Sequence, residues 1–151
     1  MKKFFLAALV VYFLDRISKI WILHTFGLPR DIFPLFTLVK VWNPGVAFGV
    51  GSALFFKAKG AIIYFTIALL FLVLFTAVKT RSSLEKVFLG IIFGGGLGNL
   101  TDRLLYGRVL DFLDFHIKTF HWPAFNVADA AISSGIFFYV LNLLRKEKRC
   151  T

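Results

Sequence analysis

Residues 125–144 read FNVADAAISSGIFFYVLNLL. A membrane-spanning helix needs ~20 mostly apolar residues, and this stretch supplies them. Asp129 nevertheless lies inside it. A carboxylate at the bilayer centre costs roughly 3 kcal/mol or more. No cation stands within four residues of Asp129. It therefore needs a partner from another segment, or it stays protonated.

The rest of the chain repeats the pattern. Of its 151 residues, 58% are hydrophobic and 20 are Phe, and the mean hydropathy is +0.78. These residues are blocked rather than scattered. The run 61–78 (AIIYFTIALLFLVLFTAV) carries no charge. The run 87–105 is Gly-rich, and 4–23 contains Asp15, Arg16 and Lys19. The expected fold is one all-α membrane domain over 1–151. It has four transmembrane helices, at about 4–23, 61–78, 87–105 and 125–144. Met1-Lys2-Lys3 before an apolar run resembles a signal peptide, but no small-x-small cleavage site follows Leu14. An uncleaved first helix is the expectation.

The formal charge of +10 raises the question of nucleic acid, and the placement of the cations answers it. Lys2 and Lys3 precede the first span, Lys79, Arg81 and Lys86 fill the short second link, and Arg145, Lys146, Lys148 and Arg149 follow the fourth. In a four-span chain these places share one side, which the positive-inside rule makes cytoplasmic, with both termini. Much of the charge is thus a topology signal, and no nucleic-acid partner is expected. Cys150, the single cysteine, can form no internal disulfide.

With this topology all six Asp fall at the outer level. Asp15 lies ~18 Å up the first span at 1.5 Å per residue, Asp31 follows that span, and Asp102 ends the third. Asp111 and Asp114 lie in the second outer connection, and Asp129 near the outer start of the fourth span. Some have plain structural explanations. Asp15 and Lys19 are spaced to pair on a helix, Asp102 and Arg103 suit an interfacial anchor, and Asp31 and Asp114 read as loop charges. Asp111 and Asp129 are harder to dismiss. The first outer connection carries FTLVKVW (36–42) and then the turn Asn43-Pro44-Gly45, which predicts a small β-element on the outer membrane surface. A short interfacial helix is expected over 52–56. GGGLGN (94–99) fails the phosphate-loop pattern and reads as a helix-packing surface. Asn99, one turn below Asp102, is placed to bond a substrate or a catalytic carboxylate.

Serine chemistry lacks its context: Ser52 is in no G-x-S-x-G, and no His shares a span with Ser133 or Ser134. Asp111, Asp114, His116 and His121 share one connection and could ligate a divalent metal, though at no recognised spacing. A carboxylate pair needs no metal and no cofactor. If Asp111 and Asp129 meet, repulsion makes them share a proton, one acting as base on water and the other as acid toward a carbonyl.

The blocks Asp15-Arg16-Ile17-Ser18-Lys19, Asn43-Pro44-Gly45-Val46-Ala47-Phe48, Gly95-Gly96-Leu97-Gly98-Asn99-Leu100-Thr101-Asp102-Arg103, Val109-Leu110-Asp111-Phe112 and Phe125-Asn126-Val127-Ala128-Asp129 stand in this order. Together they closely resemble the lipoprotein signal peptidases, bacterial signal peptidase II, over essentially the whole chain. Ser18, where that family usually has Thr, is a mild departure. The resemblance implies an aspartyl endopeptidase of the bacterial inner membrane. It would cut diacylglyceryl-modified prolipoproteins on the amino side of the lipidated cysteine, near the outer leaflet. Asp111 and Asp129 become the catalytic dyad. Asp15, Lys19, Asn43, Gly45, Asn99, Arg103, Asn126 and Ala128 become site-shaping or substrate-contacting residues. Asp102 orients Arg103, and Phe48 closes over the peptide within a β-cradle. The implied partners are the prolipoprotein and membrane lipids, and a monomer is expected. The competing readings are an ion-coupled transporter relaying through Asp15 and Asp129, and a metal-dependent lipid-phosphate hydrolase.

Overall fold

A computed structural model describes residues 1–25, 27–45 and 52–150, with backbone alone for 52–59 and 148–150. Phe48, with Val46 and Ala47 of its block, lies outside the described residues. The elements run α1 (Lys2–His24), β1 (Arg30–Phe33), β2 (Phe36–Asn43), α2 (Ser52–Lys79), α3 (Ser83–Tyr106), β3 (Val109–Ile117), β4 (Phe120–His121) and α4 (Val127–Cys150). Each expected span falls on one of the four long helices, with one correction. The fourth helix starts at Val127 rather than Phe125. The Phe125 backbone is held by β3, its N–H donating to the Leu113 carbonyl at 3.0 Å. The expected interfacial helix over 52–56 is the continuous start of α2.

The described residues include two helical segments long and apolar enough to cross a membrane, Gly60–Lys79 and Val127–Glu147. The uncharged stretch of α2 exposes Tyr64, Phe65, Phe71, Leu72 and Phe75, as a helix that meets lipid rather than water does. α3 is the hub, packed against α1, α2 and α4. Its glycines make that possible. A Cβ on Gly90 or Gly94 would strike the backbone carbonyl of Phe4 or Ala8 in α1. Close backbone approach of this kind is how small residues join apolar helices. At its N-terminus α3 opens with Ser82 accepting the Glu85 N–H at 3.4 Å, half of a capping box. The Glu85 carboxylate takes Thr80, Asn142 and Lys146, which ties α2, α3 and α4 together there.

The β-structure exceeds the expectation of one element in the first connection. Both outer connections contribute to a four-stranded antiparallel sheet in the order β1-β2-β3-β4. Asp111 therefore sits on a strand, opposite Val41, rather than on a loop. Leu110 and Phe112 flank it and join Ile22 of α1 in an apolar cluster. Strand alternation turns Asp111 to the opposite side.

Replacing Gly94 by Val should destabilise the protein by about 1–3 kcal/mol, because the obstructing atoms are α1 backbone that cannot rotate away. Thermal unfolding in detergent measures it, and an unchanged midpoint would contradict the packing account.

Candidate active site

The site is built at the C-terminal parts of α1 and α3, the N-terminus of α4 and along β3. Asn126 precedes the first residue of α4 and is its N-cap. Its side-chain Oδ1 accepts the Asp129 N–H at 3.0 Å, while the Asp129 Oδ2 accepts the Asn126 N–H at 3.3 Å. This reciprocal pairing is a capping box, with Asn and Asp in its two positions. It explains the carboxylate in the apolar run: Asp129 lies in the first turn, where the helix dipole favours negative charge. The next orphan donor, the Ala128 N–H, goes to Asp15 Oδ1 of α1 at 3.0 Å.

Asn126 also reaches the second carboxylate. Its Nδ2 donates to Asp111 Oδ1 at 2.7 Å, and Asn43 Nδ2 donates to Asp111 Oδ2 at 2.9 Å. Asn43 is held in turn, its Oδ1 accepting the Gly45 N–H at 2.8 Å. Gly45 has φ +74°, the left-handed conformation that favours glycine. Asn99 of α3 donates its Nδ2 to Asp129 Oδ1 at 2.8 Å. Each oxygen of both carboxylates thus receives one protein N–H, and one residue, Asn126, touches both acids. Asp111 is buried, at 2% exposure. Burial is the largest influence on its carboxyl and pushes it up to about 6; the nearby Asp129 charge adds to this, while the amides of Asn43 and Asn126 and the Lys19 charge oppose it.

Beneath the pair lies a buried ion cluster. Lys19 Nζ is 2.9 Å from Asp15 Oδ2, 2.9 Å from Asp102 Oδ2 and 3.1 Å from Asn99 Oδ1. Arg16 pairs with the other Asp102 oxygen. The Leu110 N–H donates to Asp102 Oδ2 at 3.2 Å, fixing the start of β3. Asp102 is expected to support the site, with Arg103 as its partner; its oxygens are engaged by Arg16, Lys19 and the Leu110 N–H. Arg103, four residues after Asn99 on α3, instead feels the charges of Asp129 first, then Asp111 and Asp102. It flanks Gly45, where an added Cβ would lie 3.8 Å from its Nη2.

The structure thus brings together Asp15, Lys19, Asn43, Gly45, Asn99, Asp102, Arg103, Asp111, Asn126, Ala128 and Asp129. Phe48 is outside the described residues. Arg16 joins the site although the sequence assigns it no role; its spacing of three from Lys19 puts those two on one helical face, but its partner is 86 residues away. Of Asp111, Asp114, His116 and His121, the last three are neighbours, with the two imidazole rings stacked at 4.8 Å, and Asp111 is engaged elsewhere. Asp114 pairs with His121 at 2.9 Å, His116 Nε2 meets Thr37 Oγ1 at 2.9 Å, and Asp111 faces the amides. Among the described residues no group of three or more His, Cys, Asp or Glu is placed to hold a metal.

A family model described as Signal peptidase (SPase) II matches residues 7–145. The lipoprotein signal peptidase of Anaplasma phagocytophilum (strain HZ) is 38% identical over 144 residues, covering 93% of this chain and 90% of that protein. The lipoprotein signal peptidase of Ralstonia nicotianae is 43% identical over 147 residues, covering 90% and 80%. A bacterial membrane enzyme solved by the in meso method at 2.3 Å resolution superposes with a TM-score of 0.84 at 26% identity, covering 100% of this chain and 93% of that one. A second, at 1.9 Å, gives 0.83 at 27%, covering 95% and 94%.

The capping box separates two roles of Asn126. Asn126→Ala removes the cap and should cost about 1 kcal/mol, whereas Asn126→Ser retains an acceptor for the Asp129 N–H and should lose much less. Denaturation of both variants in detergent measures the difference; equal losses would contradict the cap.

Proposed function

The chain belongs to the signal peptidase II family, the peptidases that remove lipoprotein signal peptides, and from that premise we propose that it works as an aspartyl endopeptidase through Asp111 and Asp129. The observation that carries this reading is the single residue Asn126 bonded to both carboxylates, to Asp111 through its side-chain amide and to Asp129 through its backbone N–H, which holds two acids from separate elements in one polar site. The substrate is a diacylglyceryl-modified prolipoprotein, cut on the amino side of the lipidated cysteine.

The chemistry follows from the pair. Amide donors occupy one lone pair on each oxygen, so a shared proton sits on the faces left open toward substrate. The ionised acid takes a proton from water as the water oxygen bonds to the scissile carbon. The protonated acid gives its proton to the carbonyl oxygen. The tetrahedral diol then collapses: the C–N bond breaks with its electrons going to nitrogen, nitrogen takes up the proton removed from water, and one diol hydroxyl returns its proton to the acid that protonated the carbonyl as the C=O re-forms. Asp15, Lys19, Asn99, Asp102 and Asn126 hold this geometry, while Arg103, Asn43 and Gly45 line the approach. Ala128, fully buried, lets α4 approach Gly95 of α3 closely.

Location supports the same reading. A lipid-anchored cysteine confines its peptide bond to one membrane depth, and Asp129 lies near one end of an apolar helix suited to cross the bilayer. The proposed topology is four spans in the bacterial inner membrane as a single domain, monomeric, with both termini cytoplasmic. The sheet rests on the outer leaflet, with Ile117, Phe120 and Trp122 exposed on it.

Purified protein should cleave a diacylglyceryl-prolipoprotein in excess chelator. Asp111→Asn and Asp129→Asn should each lower kcat by about 100- to 10,000-fold. Full cleavage by both variants would remove the dyad, and chelator-sensitive activity restored by added metal would point to a metal mechanism instead. The pH dependence has a defined sign. Asp111 is raised to about 6, so the singly protonated pair is depleted as pH climbs past that value. A profile of kcat/KM should therefore fall on its alkaline side with an apparent pKa near or above 6.

A further inference from the structure

Lys19 is fully buried, although it touches neither Asp111 nor Asp129. Its ammonium forms ion pairs with Asp15 Oδ2 and Asp102 Oδ2 and donates a hydrogen bond to an amide, at Asn99 Oδ1. That amide has a direction. Asn99 turns its Oδ1 to Lys19 at 3.1 Å and its Nδ2 to Asp129 at 2.8 Å. Rotated by half a turn, it would aim N–H protons at an ammonium that has no lone pair, and a carbonyl oxygen at a carboxylate. Both contacts would then be repulsive. The same Asn99 Oδ1 accepts Asn126 Nδ2 at 3.2 Å, and Asn126 Nδ2 also serves Asp111.

We propose that Lys19 is a positioning residue that locks the Asn99 amide with its N–H toward Asp129, and so fixes the direction of the hydrogen bonds reaching the dyad. It is not a catalytic residue; it acts through Asn99. Hydrogen bonds run outward from one ammonium: Lys19 to Asn99 to Asp129, with Asn126 joining at the shared carbonyl and continuing to Asp111. Without the ammonium, Asn99 can present its carbonyl to Asp129 and take up the proton that catalysis needs on the open face. This inference rests on the dyad reading and deepens it. Among the described residues, Arg103 is a further charged group that interacts with both Asp129 and Asp111.

The test keeps the buried charge balanced. Asp15→Asn with Lys19→Met removes one negative and one positive group together, and an Asn at 15 still accepts the Ala128 N–H. In the prolipoprotein cleavage assay this double variant should lower kcat by about 10- to 100-fold with KM near wild type, the scale expected from misplacement at a distance. In Lys19→Met alone the alkaline limb of the pH profile should move upward, since the Lys19 charge holds Asp111 down. Asn99→Ala is made alone and combined with the double variant. Once Asn99 is gone, losing Lys19 should cost little further, a strongly non-additive cycle. Equal losses in the two backgrounds, or an unchanged kcat, would overturn the proposal. Loss of the folded state in both the double variant and Lys19→Gln would also overturn it, by making Lys19 a stability residue. Failure of the dyad reading shows separately, as retained activity in Asp111→Asn and Asp129→Asn.

Discussion

A lysine ammonium with no solvent exposure is the constraint around which the sheet-bearing half of this protein is arranged. Burying an ion is costly unless its partners nearly surround it, and removing one partner leaves a buried charge uncompensated. Lys19 meets that requirement with Asp15, Asp102 and Asn99, and Arg16 balances the second carboxylate. The atoms left over on these partners then hold the fold. Asp15 takes an N–H from the first turn of α4, Asp102 takes one from the start of β3, and Asn99 reaches Asp129. One charge cluster thereby joins α1, α3, α4 and β3 at a single level.

This arrangement also answers the cost of a carboxylate in an apolar helix. Asp129 is not at mid-span. It occupies the third position of α4, closes a capping box with Asn126 and sits at the positive end of the helix dipole. Local helix chemistry and the proposed catalysis use the same atoms. Asn126 satisfies a backbone donor of the helix and at the same time bridges to Asp111. A substitution there disturbs cap and site together, unless the replacement retains the acceptor.

The helices were legible because apolar runs of membrane length dominate the composition, and the Asp15–Lys19 pair because four residues make one helical turn. Arg16–Asp102 was not legible, since nothing local links residues 86 apart. The strand β3 was missed because VLDFLDFHI places its two Asp three residues apart, which breaks the two-residue alternation that marks strands. The start of α4 was set two residues early because Phe125 is apolar, although N-x-x-D is itself a helix-start pattern. The dyad partners were legible only as residues out of place at a shared depth. Their common contact, Asn126, required the fold.

The central claim is that Asp111 and Asp129 direct water, rather than a protein nucleophile, at the scissile carbonyl. Single-turnover cleavage of a diacylglyceryl-prolipoprotein in heavy-oxygen water, followed by mass analysis of the released signal peptide and of the enzyme, tests it most directly. Direct attack predicts one heavy oxygen in the new peptide carboxylate during the first turnover and none in the enzyme. A first-turnover peptide carrying ordinary oxygen, with heavy oxygen found on Asp111 or Asp129, would contradict it.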